Sequence, residues 1–524
     1  MKTSRKVLIG LGATVGTTAA LVGLIASPAF AGEQPTPESV QAGVTTLTQN
    51  VNLLWIVIGA ALVVFMQAGF ALVETGFCRA KNAAHVMGMN LAVFGIGVVA
   101  FFLIGYGLMF GGYTYVLPGY DFGYAAPLGD PLIQVGDWVF LWKGGFALSD
   151  ITGTAQFGAV AGFFLYMVAF MDATATIPTG AMAERWRWKN FVLWGFFCAG
   201  LWYPLFGAWT WGGGWLSQLG NNLDLGFGYV DFAGSGVVHA MGGVAALAGI
   251  IALGPRIGKF DKDGKPRGIP GHHIPMAVLG AMILLFGWFG FNGASTFAAS
   301  DQGIGLVVMN TAVSAAFGAV VAMFWITRRV GKPDPGMIAN GMLAGLVAIT
   351  APCYFVDPWA AAVIGAVAGV LVVEGVFFLE RRLKLDDPVG AVAVHGINGI
   401  WGVLAVGIFA NGRYGAGWNL TTGSLTDGHG VRGVLASGPG YSMFSNLGVR
   451  QLAAQSIGAL VICTVMFGLV FLFFKVSDRL TAGGIRVSEE EELAGLDIPE
   501  MGVLAYPEFT SHEGVATAAG ARDR

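Results

Sequence analysis

Residues 231–243 read Asp231-Phe-Ala-Gly-Ser-Gly-Val-Val-His239-Ala-Met-Gly-Gly243, and residues 387–399 read Asp387-Pro-Val-Gly-Ala-Val-Ala-Val-His395-Gly-Ile-Asn-Gly399. In both, an Asp precedes a His by eight positions and a Gly follows the His by four. Each stretch opens an apolar, Gly-rich segment, which puts the Asp at a helix start and the His about two turns inside. A carboxylate there caps free backbone N–H groups and favours the positive end of the helix dipole. An imidazole deep in an apolar helix can donate and accept hydrogen bonds and can pass a proton, because it titrates near neutrality. Ionisable groups within an apolar span are costly and mark pathways. One such His is equally well a packing residue; two at matching positions predict a pair that lines a path. The other histidines are placed less deeply: His85 starts a span, His272 and His273 end a loop, His429 lies in a loop and His512 in the tail.

The elements that must position this pair cross a membrane. Of 524 residues 55% are hydrophobic and 11% charged, against roughly 25% charged in soluble domains, and mean hydropathy is +0.68. The net charge of −3 points to no nucleic acid. The 82 glycines suit helices packed closely in lipid. Cys78, Cys198, Cys353 and Cys463 show no metal or disulfide-framework spacing and read as packing residues. Residues 1–31 read as a cleavable signal, with Lys2, Arg5 and Lys6 ahead of an apolar stretch and Ala29-Phe30-Ala31 as the cleavage site. The rival is an uncleaved helix, which the polar segment Glu33 to Asn50 disfavours.

Eleven apolar runs of ~20 residues follow, at about 51–76, 85–111, 154–178, 190–213, 234–254, 274–292, 303–326, 337–356, 359–379, 392–410 and 450–475. Nineteen of the 28 basic residues fall in alternate loops or at the start of the tail, and four (Lys143, Arg413, Arg432 and Arg450) in the opposite loops. The positive-inside rule then puts the mature N-terminus outside and the C-terminus in the cytoplasm. Asp231 and Asp387 open their helices on opposite sides, so the predicted fold is an all-α polytopic membrane protein of two inverted five-helix repeats plus one extra helix, with the shared site near the midplane. The predicted organisation is a signal at 1–31, a membrane domain at 32–478 and a cytoplasmic tail at 479–524 that reads as solvated. Nothing in the loops at about 112–153 and 411–449 suggests a separate domain.

Other groups leave alternatives open. Trp209, Trp211 and Trp215 surround Gly212-Gly213-Gly214, and Gly287-Trp-Phe-Gly-Phe-Asn-Gly-Ala-Ser295 ends the sixth span. Aromatic faces beside a hydroxyl can hold a small cation, or form an ordinary interface belt. Asp172 reads as a strut or as an electrostatic feature of the path; Glu74 and Glu374 read as helix-bonding acids. There is no Thr-Val-Gly-Tyr-Gly filter, no Walker A loop, no cofactor or metal motif and no nucleophile–base–orienter set of an enzyme.

These residues resemble the ammonium transporter (Amt) family, within the Amt/methylammonium permease/Rh group. The likeness covers about residues 51–500. It rests on Asp231-Phe-Ala-Gly-Ser-Gly-Val-Val-His239, Gly69-Phe-Ala-Leu-Val-Glu74, Ala183-Glu184-Arg185, Trp211-Gly-Gly-Gly214, Gly287-Trp-Phe-Gly-Phe-Asn292 and Asp386-Asp387-Pro-x6-His395-Gly396. The resemblance implies a homotrimer in the cell membrane with one apolar pore per protomer. An outer site of Trp211 and Ser295, with Asp231 nearby, would recruit NH4+. Phe170 and Phe291 would close the pore, and His239 and His395 would line it. Ammonium would be deprotonated and pass as NH3, with or without a separately carried proton. Gly484-Ile-Arg-Val487 and Glu489 to Asp497 resemble a tail that docks PII-type signalling proteins; beyond Pro499 the match weakens. The alternatives are an ammonium sensor, an Rh-like channel for NH3 or CO2, and, with the resemblance set aside, an ion-coupled secondary transporter.

Overall fold

The computed structural model describes residues 36–112, 116–117, 120–121, 129–421 and 428–509. The expected signal at 1–31 lies outside the described residues. Two units are distinguished, Met1–Val51 and Asn52–Arg524. In the first, residues 37–51 are helical and largely exposed. Eleven apolar helices occur among the described residues: α1 Pro37–Phe77, α2 Ala80–Phe110, α3 Phe157–Ala181, α4 Trp188–Thr210, α5 Ser235–Leu253, α6 Ile274–Thr296, α7 Gly303–Val330, α8 Pro335–Ile349, α9 Pro358–Arg382, α10 Val392–Phe409 and α11 Asn446–Leu480. Ten are long enough to cross a bilayer and α8 is shorter, so the chain is a multi-pass membrane protein.

Two boundaries differ from expectation. Helix α1 starts at Pro37 rather than near 51, because a Pro suits the first helical turn and the Thr-rich stretch behind it keeps its backbone bonded. Helix α8 stops at Ile349 instead of 356. Pro352 cannot continue a helix, and the turn it forms hands Thr350 O and Ala351 O to the amides of Ala233 and Phe232. The segment between α2 and α3 also carries a hairpin, Asp130–Val135 against Trp138–Lys143, which closes over Trp209 through its bond to Phe140 O.

Helices α3 and α5 are buried over 83% of their apolar stretch and α7 over 33%, which sets the first two at the centre. Helix α3 packs on α5 as α8 packs on α10, the correspondence two repeats require. Helices α5 and α10 themselves touch backbone to backbone. Gly399 faces Ser235 and Ala240, while Gly243 faces Gly396, so the two run in opposite senses. Three of the four cysteines are buried as packing residues; Cys463 is exposed on α11 instead.

At the end bearing most basic residues, an ionic cluster ties the helices together. Arg256 donates to both Asp386 oxygens at 2.8 and 2.9 Å and to Glu184 at 3.0 Å. Arg79 reaches Glu184 at 2.5 Å, and Arg185 donates to the carbonyls of Gly254 and Asp386. The tail is not simply solvated. Its short helices, α12 Glu489–Ala494 and α13 Asp497–Met501, dock on this end. Arg486 and the amide of Ile257 hold Glu492, and the amide of His85 donates to Asp497. Burial of these acids decides the matter, since a solvated tail would leave them wet; Glu492 is 1% and Asp497 2% exposed. His85 is consequently buried, although it only starts its span.

Burial pushes the Asp386 carboxyl up, but Arg185 and the doubly bonded Arg256 outweigh it and hold it well below its ordinary 3.8. A carboxylate lowered in the folded state contributes its stability above the unfolded value and loses it as pH falls toward the folded one. Asp386→Asn leaves two buried guanidiniums short of a counter-charge and is expected to cost about 3 kcal/mol. In thermal melts the wild type should lose stability on acidification below pH 3.8; the variant should start lower and lack that component.

Candidate functional site

Each Asp–His stretch folds the same way. Asp231 Oδ1 accepts from the amide of Gly234 at 2.8 Å, and Oδ2 from Gly236 and Val237 at 2.8 and 2.9 Å. Asp387 accepts from Val389, Gly390 and Val392 at 3.3, 3.0 and 2.8 Å. The third residue on is glycine in both, with φ of +115° at Gly234 and +78° at Gly390, a conformation that favours glycine. Both helices then open with a π-helical turn, Ser235–Ala240 and Val392–Ile397, that contains the histidine. Such turns occur often at functional sites. The aspartates therefore cap and aim these turns rather than reaching along the path.

Where α5 and α10 cross, the Nδ1 atoms of His239 and His395 are 3.2 Å apart, with rings 5.3 Å centre to centre and inclined by 23°. Both are buried. Two neutral imidazoles joined Nδ1 to Nδ1 must be opposite tautomers, one donating and one accepting. One added proton keeps that bond, whereas a second would set two donors face to face. The pair therefore suits carrying a single proton. His239 Nε2 is buried with no hydrogen-bond partner among the described residues.

A column of rings leads from one end of the protein to this pair. Trp211 meets Phe170 edge-on at 6.0 Å, Phe170 stacks on Phe291 at 3.9 Å and 22°, and Phe291 lies 5.4 Å from His239. Beyond His395 comes Phe70 at 6.0 Å. Rings stacked at 3.9 Å leave no gap between them, so any solute must wait for them to turn. Trp211 Nε1 donates to Asp231 O at 2.7 Å, which ties the column's mouth to the α5 cap. Ser295 Oγ donates to Phe291 O at 2.8 Å and lies 3.0 Å from the Tyr166 hydroxyl.

Trp211, Phe170, Phe291, His239 and His395 thus follow one another in contact, with Asp231 joined to Trp211 through its carbonyl and Ser295 to the carbonyl of Phe291. Trp209 and Trp215 instead meet edge to face at 5.8 Å beneath the hairpin. Glu374 bonds α9 to α7 through Trp325 and Arg329, as expected. Asp172 is buried, and its Oδ1 has no partner among the described residues. Two further site residues carry no distinguishing signal in the sequence. Tyr166, whose ring lies 4.6 Å from Phe170, sits four residues before it and so on the same helix face. Trp288 stacks on His239 at 4.9 Å and 19° and donates to Thr350 Oγ1 at 2.8 Å. It lies inside the aromatic run that ends α6, but only packing separates it from its neighbours Phe289 and Phe291.

Below His395 lies a cavity of about 20 Å3, lined by Phe70, Glu74, Ile177, Asn340 and Val389 among others. That is space for one molecule of the size of water. No group of three or more metal-ligating side chains occurs among the described residues.

The spacing of the histidines depends on glycine at the crossing. A Cβ on Gly243 would come within 2.1 Å of the Gly396 amide nitrogen. Gly243→Val should therefore push α5 from α10 and cost about 3 kcal/mol. Gly258→Ala, in a loop where a Cβ meets nothing, serves as the control for thermal melts; its cost is confined to the backbone.

Comparisons with known proteins agree on one group. The profile described as Ammonium Transporter Family matches residues 54–506. Ammonium transporter Amt2 of Archaeoglobus fulgidus is 43% identical over 478 residues, 90% of this chain and 92% of that one. Among solved structures, one titled Sensor Amt Protein aligns with a TM-score of 0.71 at 34% identity, over 87% of this chain and 99% of that chain. Mep2 of Candida albicans aligns at 0.67 and 27%, over 88% and 92%.

Proposed function

Because the chain belongs to the ammonium transporter family, we propose that it recruits NH4+ at Trp211 and Ser295, strips a proton, and conducts NH3 past Phe170, Phe291 and the histidine pair. The observation that carries this reading is the unbroken ring column that runs into a hydrogen-bonded imidazole pair. Magnitudes favour the neutral form. Moving a small ion from water into a medium like the protein interior costs on the order of 20 kcal/mol. Neutral ammonia loses only hydrogen bonds, at roughly 2–7 kcal/mol, part of which the imidazoles return. At the mouth, the indole of Trp211 offers cation–π attraction and the Ser295 hydroxyl an acceptor. A potassium ion has no proton to shed, so this route excludes it.

The proton has a path of its own in this reading. The imidazole pair accepts one and relays it, which makes transport electrogenic; without relay the same pore is a gas channel. The protein sits in the cell membrane with its tail in the cytoplasm, works as a homotrimer, and offers the docked tail to a PII-type signalling protein. The basic residues at one end support that orientation. A second reading, an ammonium sensor, draws on the likeness to the Sensor Amt Protein structure.

Proteoliposomes given an ammonium jump separate these readings. The expected result is inward positive current that equimolar potassium leaves unchanged. His239→Ala/His395→Ala should lower it at least about 10-fold, as loss of a positioned proton carrier does. Lumenal alkalinisation without current identifies an NH3 channel. Binding of ammonium with neither signal in oriented wild-type vesicles identifies a sensor.

A further inference from the structure

Glu74 lies on α1 with its carboxyl in the wall of the cavity under His395, and it is 2% exposed. Such a buried acid calls for a cation or a full set of donors. Asp387, another acid, is the charged group acting on it from the packed elements. Its side-chain hydrogen bonds come from Asn90 and Thr179, and the Gly180 amide also faces it. Asn90 Nδ2 donates to Oε2 at 2.7 Å and to Val86 O at 3.1 Å, while Asn90 Oδ1 accepts from Gln67 Nε2 at 3.2 Å. That set fixes which face of the amide Glu74 meets.

Thr179 is different. Its single hydroxyl proton lies between two acceptors, the Glu74 oxygens at 2.9 and 2.8 Å and Thr176 O at 2.5 Å. With Glu74 ionised, the hydroxyl donates to the carboxylate instead of to Thr176 O. With Glu74 protonated, its O–H donates to Thr179 Oγ1, and the hydroxyl turns to Thr176 O. Every group is then satisfied. One rotation of a hydroxyl therefore serves both protonation states, in a cavity that also holds an imidazole and has room for one small molecule.

We infer that Glu74 is a catalytic proton donor at the inner end of the path, which returns a proton to ammonia in the cavity beneath His395. This rests on the ammonium reading above and adds a residue to it. In the step, the Glu74 O–H bond breaks, an N–H bond forms, and NH3 plus carboxyl become NH4+ plus carboxylate. The carboxylate regains its proton from the imidazole pair or from water. A second cavity, of about 30 Å3, adjoins the Asp387–Gly390 turn and is lined by Lys259 and Glu380, which pair with each other. Glutamine can accept from Asn90 and donate to Thr179 Oγ1, as the protonated acid does, so it keeps the strut but neither gives nor takes a proton.

The test compares wild type, Glu74→Gln and Glu74→Asp in ammonium-evoked flux and in infrared difference spectra on adding ammonium chloride. Wild type should show a carboxyl band exchanging for carboxylate, which Glu74→Gln removes while its melting temperature holds. Glu74→Gln should lower flux at least about 10-fold, and Glu74→Asp should restore both signals in part. Unchanged flux in Glu74→Gln, or a band that persists in it, overturns the assignment. If Glu74→Gln melts early, Glu74→Asp is the deciding variant: a wild-type fold with no band overturns the assignment. A band that Glu74 supplies in a wild type without flux leaves the proton exchange standing and overturns the transport reading instead.

Discussion

The contact on which the rest depends is the crossing of α5 and α10, where two glycine-bearing backbones touch and set two imidazoles 3.2 Å apart. An imidazole alone in an apolar helix is a liability, since one nitrogen must donate and the other accept. Two of them at hydrogen-bonding distance settle part of that demand between themselves. That leaves one further nitrogen on each ring, and His239 Nε2 has no partner among the described residues. Helices any farther apart would lose the bond; helices with side chains at the crossing could not come this close.

Much of the remaining architecture holds that crossing in place. Each histidine helix is aimed at its first turn by an aspartate that takes three amides. The ends of α3 and α5 and the start of α10 are locked by Glu184, Arg185, Arg256 and Asp386, and the tail is laid over that lock through Arg486 and Glu492. The ionic cluster lies outside the spans, where charge is tolerated, while the interior is left to rings and close backbone contact. This division follows the solvent: lipid offers charged groups nothing, so they collect at the end and pair there.

The path itself combines two demands that conflict. In the proposed mechanism a pore that strips charge must be dry and narrow, a demand that the stacked Phe170 and Phe291 would meet. A pore that also handles a proton must hold polar groups inside that dry wall. Those groups are few and each is tethered: His239 between Trp288 and Phe291, Ser295 to Tyr166, Glu74 to Asn90 and Thr179. Tethering keeps them from collapsing onto backbone carbonyls and keeps the path's acceptors where a small solute passes.

The sequence by itself determined the class, the eleven apolar spans and the repeat, and it singled out Trp211, Phe170, Phe291, His239 and His395, which the fold sets in contact one after another. Hydropathy, basic-residue asymmetry and the twice-used Asp–His–Gly spacing are local or periodic signals, and each survives in one dimension. The tertiary structure decided what depends on distance between helices. Trp288 and Tyr166 enter the site only because α6 and α3 bring them against His239 and Ser295, and no spacing rule separates them from the many other aromatics. The burial of His85, Glu492 and Asp497 was hidden for the same reason. A polar stretch reads as solvated until its partners are known, and some lie far off in sequence: the His85 amide is 412 residues from Asp497 and the Ile257 amide 235 from Glu492.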